Sequence, residues 1–292
     1  MTFSAPESPL PHGELSSPET PGAPEIYLSP QNLGNLNIPE DIRTSWGWLE
    51  LGMFLLVGIF SYLVMFVMAS IYLVARYHLN AAQLQNLFSA NAAYAVGFEV
   101  AWSVILLAFL ILMIRVYHGQ RFWISIGWRK LRTPAGGLAI VILLCVVGGG
   151  LLAVAVGILS RFIETNAHVP MEDLFQSRAN ILWLMAYGIL FAPFWEETLF
   201  RGFLYPVFAR QWGIRGGIVV TGLLFGAMHA AQLWGGWGQI VLLTFVGVVL
   251  TWARARSGTV LASYLVHVSY NTFLFVAFFI GTHGLHQLPQ VH

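Results

Sequence analysis

The chain has 292 residues, of which 57% are hydrophobic and only 9% charged. Soluble domains carry about 25% charged residues, so this composition cannot build a water-exposed surface, whereas a lipid-facing one needs few charges. The net charge of +1 excludes a strongly electrostatic partner such as nucleic acid.

Residues 1–45 are rich in Pro, Ser, Glu and Gly. They lack the basic and apolar regions of a signal peptide. They also bury too little apolar surface to offset the entropy of ordering. A disordered tail is therefore expected, followed by a polytopic membrane domain over residues 46–292. Apolar runs long enough to cross a bilayer, about 20 residues each, begin with residues 48–74, 92–116 and 137–159. Cys145 lies in the third run and is the only cysteine, so no internal disulfide is available. Gly148, Gly149 and Gly150 in the same run suit close helix packing. A fourth run covers residues 181–208, and shorter ones follow at 217–233, 239–253 and 260–280. The predicted fold is an all-α transmembrane bundle of seven spans, or eight if a half-helix over residues 120–133 is counted.

Lys and Arg in short loops set the orientation. Arg115, Arg121, Arg129, Lys130 and Arg132 follow the second run, Arg210 and Arg215 the fourth, and Arg254 and Arg256 the sixth. All fit the cytoplasmic side, which places the N-terminus inside and the loop at 160–180, with Glu164, Glu172 and Asp173, outside.

Ionisable groups within apolar helices cost several kcal/mol, from about 2.5 upward, and so require a reason. The fourth run contains Glu196, Glu197 and Arg201. Glu197 and Arg201 are four apart with the acid first, the favourable order for a helical ion pair. Glu196 points about 100° away, which leaves one carboxylate free for chemistry. The fifth run carries Gly222 and Gly226, spaced for close helix approach, and then His229. On the last run His267 and Asn271 are four apart and share a face. Taken singly, His229 suits interhelical hydrogen bonding, and the His267–Asn271 pair suits packing as well as chemistry. Glu99, in the second run, reads first as a buried acid bonded to neighbouring helices, with entry into the polar cavity or binding of a partner as the other readings. His78, His118, His168, His283 and His286 read as solvated loop residues, and His12 and His292 fall in tails.

The ordered set is more specific than its parts. Glu196-Glu197-x-x-x-Arg201, then Phe225-x-x-x-His229, then His267-x-x-x-Asn271 resembles the signature of the CAAX prenyl protease and bacteriocin-processing family over residues 181–280. The resemblance implies an intramembrane endopeptidase acting on a membrane-associated or lipid-modified substrate. It implies that Glu196 and His229 activate a water, that His267 and Asn271 face the scissile carbonyl, and that Glu197 and Arg201 support them. It also implies a multi-pass protein of a bacterial cytoplasmic membrane. Its partners would be the lipid bilayer and a membrane-associated protein or peptide substrate. No cofactor is required in the favoured reading. The alternative is zinc held by Glu196, His229 and His267, although no H-E-x-x-H motif is present. A non-catalytic binding, immunity or scaffold protein of the same family is the runner-up. A proton- or ion-coupled transporter is disfavoured because no internal repeat is visible.

Overall fold

The computed structural model describes residues 39–133, 137–163 and 169–288, and all regular structure among them is helical. The main helices are α1 (Trp48–Tyr77), α2 (Ala81–Ala90), α3 (Ala92–Leu112), α4 (Phe122–Ser125), α5 (Gly137–Ser160), α6 (Arg178–Ala186), α7 (Ala192–Glu196), α8 (Tyr205–Met228), α9 (Trp237–Ser257) and α10 (Val260–Gly281). Side-chain caps start several of them. Asn80 accepts from Gln83 N, Asn91 from Ala93 and Tyr94 N, Ser177 from Asn180 N, and Thr259 from Leu261 N. Gly258 ends α9 with φ at 72°, a left-handed conformation that glycine adopts without strain.

Among the described residues, five helices are long and apolar enough to cross a membrane: Trp48–Tyr77, Ala92–Tyr117, Gly137–Ser160, Trp237–Ser257 and Val260–Gly281. Their outer faces are apolar. On α1, Leu55, Leu56, Phe60, Leu63 and Met68 are all more than half exposed, which suits lipid and not water. The chain is a membrane protein, and its described residues form an all-helical fold. The fourth predicted run differs in form. It is helical throughout, but π segments at Tyr187–Phe191 and Glu197–Leu204 interrupt it between α6, α7 and α8. The fifth run ends earlier than its hydropathy suggests, because α8 kinks at Gly213 and stops at Met228.

Small residues bring the helices that carry the site together. A side-chain carbon on Gly222 would lie 2.8 Å from Val248 N, and one on Gly226 2.9 Å from the Ile240 carbonyl, so α8 lies flush against α9. One on Gly150 would lie 3.0 Å from the Phe273 ring, and Ser269 Oγ donates to the Val146 carbonyl at 2.7 Å, so α5 lies against α10. Gly226→Val must therefore force the helices apart. Overpacking of this kind costs about 1–3 kcal/mol. A lowered unfolding midpoint in detergent is expected for this variant, and none for Gly148→Ala, where the added carbon meets nothing within 4 Å.

The residues just before α1 are anchored. Arg254 Nη1 meets Asp41 Oδ2 at 2.6 Å, and Trp46 Nε1 donates to the Phe203 carbonyl at 3.1 Å. The Arg210 guanidinium donates to the Thr44 and Trp46 carbonyls. Ile42 and Trp46 are buried. The rest of the predicted tail, residues 1–38 with His12, lies outside the described residues, as do Glu164, His168 and His292.

Residues 120–133 turn back into the bundle. Trp128 Nε1 donates to Thr198 Oγ1 at 3.0 Å, Val260 N donates to the Gly127 carbonyl at 2.8 Å, and Thr259 Oγ1 donates to the Arg129 carbonyl at 2.6 Å. This turn packs between the Glu197–Leu204 segment and the start of α10, about two helical turns from His267.

Candidate active site

The acidic pair sits where α7 passes into the second π segment. π bulges recur at functional sites because the extra residue re-aims side chains within an otherwise regular helix. Glu197 and Arg201 face inward and are both 0% exposed. Arg201 Nη1 donates to Glu197 Oε1 at 2.8 Å. The other guanidinium nitrogens reach α9, Nη2 to the Gly247 carbonyl at 3.0 Å and Nε to Thr251 Oγ1 at 3.3 Å. The guanidinium also lies 4.6 Å from the centre of the Phe225 ring on α8. A charge this deep is stable only when paired and fully hydrogen-bonded, and each of these contacts meets that demand.

Glu197 grips a second partner that the motif spacing did not reveal. His267 Nδ1 lies 3.0 Å from the same Oε1. A carboxylate only accepts, so Nδ1 carries the proton and Nε2 is turned away from Glu197. Nε2 faces Glu196 Oε2 at 3.8 Å. That distance is too long for a direct hydrogen bond, and it leaves both atoms available to a third group. Glu196 itself has a side chain 13% exposed and no hydrogen-bond partner among the described residues. The expected division therefore holds in its first part: Glu197 is neutralised and Glu196 is free. The pairing of His267 with Glu197 adds a contact that the spacing of His267 and Asn271 does not show.

His229 caps α8. Its own N–H donates to the Gly226 carbonyl, which leaves the Phe225 carbonyl without a helical partner, and the imidazole Nδ1 fills that role at 2.8 Å. Nε2 is thereby left as a bare acceptor. The Phe225 ring lies 5.1 Å from the His229 ring and 5.9 Å from the His267 ring, so one buried aromatic supports both histidines and Arg201.

Asn271 is engaged elsewhere. Its Nδ2 donates to the Gly188 carbonyl at 2.6 Å. The cause lies in the sequence of the first π segment. Ala192 N–H donates five residues back, to Tyr187, so the Gly188 carbonyl falls to Pro193, which has no N–H. Asn271 supplies the missing donor and clasps α10 to the broken helix. One amide hydrogen is spent there and one remains. Removing a partner from a buried acceptor costs about 1–3 kcal/mol. Asn271→Leu is expected to lose stability of that order. With Pro193→Ala in place the loss should shrink, because a backbone N–H then becomes available to the Gly188 carbonyl. Chemical unfolding of the two single variants and the double variant measures the coupling.

Among the described residues no three His, Cys, Asp or Glu side chains are grouped so as to hold a metal ion. The alternative zinc set of Glu196, His229 and His267 is not among such groupings in this arrangement.

The comparisons with known proteins fall on the same region. Residues 178–273 match the family model described as type II CAAX prenyl endopeptidase Rce1-like. A curated protein of Escherichia coli, titled an uncharacterized 24.3 kDa protein, is 35% identical over 135 residues, covering 42% of this chain and 59% of that protein. The chain thus spans less than two thirds of that relative's length. No solved structure gives a significant match. The family resemblance drawn from the three motifs is shown over residues 178–273.

Proposed function

We propose that this chain is an intramembrane endopeptidase that hydrolyses a peptide bond of a membrane-associated or lipid-modified substrate by means of a glutamate-activated water. The observation that carries the reading is Glu196, an acid without a hydrogen bond, facing the Nε2 of a histidine locked by a fully buried Glu197–Arg201 pair. Such a pair of groups has no structural task left to perform. Its exposed atoms are a carboxylate oxygen and an imidazole nitrogen, the parts needed to take and return a proton.

In this mechanism Glu196 removes a proton from water as the oxygen adds to the scissile carbonyl carbon. His229 Nε2, a free acceptor, orients that water. The remaining Asn271 hydrogen faces the developing oxyanion, and so does His267 when Nε2 carries a proton in addition to Nδ1. Glu196 then passes its proton to the nitrogen as the C–N bond breaks, giving one carboxylic acid and one amine. Oxyanion donors are typically worth about 3–4 kcal/mol each. Glu197 holds His267 in one orientation, and Arg201 holds Glu197. The bound water, the carbonyl pose and these roles are part of the proposal.

We also propose that residues 178–212 and 214–228 complete seven crossings with the N-terminus in the cytoplasm of a bacterial cell, as the distribution of Lys and Arg favours. Purified protein in liposomes, offered lipid-anchored peptides with and without an isoprenoid, tests the activity. Mass spectrometry of products should show a new C-terminus. Intact peptides under conditions where the protein is folded would favour the binding or scaffold role instead.

A further inference from the structure

One ionisable group in the membrane domain has no place in this mechanism. Glu99 lies in α3, on the stripe Val96, Ser103, Leu106 and Leu110 that faces the protein interior. Lipid-facing residues of the same helix, Val104, Ile105 and Leu112, lie off that stripe and are exposed. The depth of Glu99 is fixed by a clasp between helices. Asn180 Nδ2 donates to the Ala90 carbonyl at 2.8 Å, and Ala92 N donates to Asn180 Oδ1 at 3.1 Å. From this clasp α3 and α6 run side by side in the same direction. Glu99 is seven residues past Ala92 and Tyr187 seven past Asn180, so both sit about 10 Å along their helices. Asn271 reaches that level too, through its bond to Gly188. Glu99 lies within electrostatic reach of Glu196, and Tyr187 within reach of both carboxylates. Tyr62 of α1 is also within electrostatic reach of Glu99.

Two polar groups on this stripe lack partners. Glu99 has no hydrogen bond and no cation among the described residues. One turn on, Ser103 is 1% exposed and its Oγ is buried with no hydrogen-bond partner. An unpaired carboxylate and an unpaired hydroxyl stacked along one interior face of a membrane helix are each costly unless hydrated. Water is what buried polar groups of this kind hold.

We infer that Glu99 is a third carboxylate of the site, and that Glu99, Ser103 and Tyr187 line a narrow water-filled pocket that continues from Glu196 and delivers the hydrolytic water to it. The role as a water supply rests on the hydrolytic reading above; the existence of the pocket does not. Glu99 keeps the pocket wet, and it is a positioning residue because it acts through water and not on the scissile bond.

Cys145 is the only cysteine in the chain, so thiol probes can be placed cleanly in a Cys145→Ala background. Silver ion is small, excluded from lipid and reactive toward thiols in water, and the probe is read as loss of maleimide labelling after denaturation. Ser103→Cys should be modified about tenfold or more faster than Ile105→Cys on the same helix, since the thiolate forms only where water reaches. Adding Glu99→Leu should slow that reaction, and adding Glu99→Gln should slow it less. If peptide cleavage is present, Glu99→Leu should lower kcat with little change in KM. Equal silver reactivity at positions 103 and 105, or no effect of Glu99→Leu on it, would overturn the inference. Fast modification at position 103 in a protein that cleaves nothing would keep the pocket and remove only the hydrolytic reading.

Discussion

Glu196→Gln is expected to lower kcat by about two to four orders of magnitude, the range for loss of a positioned general base. The amide keeps the size of the carboxylate but cannot take a proton from water. Glu196 contributes no hydrogen bond among the described residues, and its contact with His267 Nε2 is long, at 3.8 Å. The variant should therefore insert, elute and unfold as the parent does. The same substitution at Glu197 should behave in the opposite way, with a large change in stability.

Breaking one half of a buried ion pair costs about 3–5 kcal/mol, because the other charge is left without compensation. Glu197→Gln leaves Arg201 in that position, 0% exposed and able to donate only to Gly247, Thr251 and a neutral amide. It also loosens His267, whose Nδ1 loses an ionic acceptor. A loss of about 3 kcal/mol or more is expected, with activity falling as a consequence. Replacing both residues, as in Glu197→Gln with Arg201→Leu, should recover much of the stability and none of the activity. Unfolding in detergent for the two singles and the double closes the cycle. A double variant less stable than the Glu197→Gln single would show that Arg201 is held mainly by its contacts with α9 and the Phe225 ring, and not by Glu197.

The parts of this molecule legible in its sequence were those fixed by composition and spacing. A charge-poor chain with long apolar runs must be a membrane protein, and the runs at α1, α3, α5, α9 and α10 are where hydropathy places them. The i, i+4 spacing of Glu197 and Arg201 foretold their pairing, and the isolation of Glu196 followed from the same helical geometry. What spacing cannot show is contact between helices. The bond from His267 to Glu197 joins residues seventy positions apart. The π segments leave no trace in local propensity, which α and π turns share; Pro193, a missing donor inside an apolar run, is the one sequence mark of the first of them. The capture of Asn271 by Gly188 follows from that proline. Asp41 was read as part of a polar tail, yet its carboxylate anchors Arg254, a pairing that depends on where α9 ends. Hydropathy gives the fourth run as one uninterrupted span, whereas π segments at Tyr187–Phe191 and Glu197–Leu204 interrupt it.

The account turns on Glu196 acting as a base inside the membrane. The most direct measurement compares the termini of membrane-associated peptides from cells that make the parent protein with those from cells that make Glu196→Gln at equal level. Specific C-termini present in the first and absent from the second are the expected result. Identical sets of termini, with both proteins folded and abundant, would contradict it.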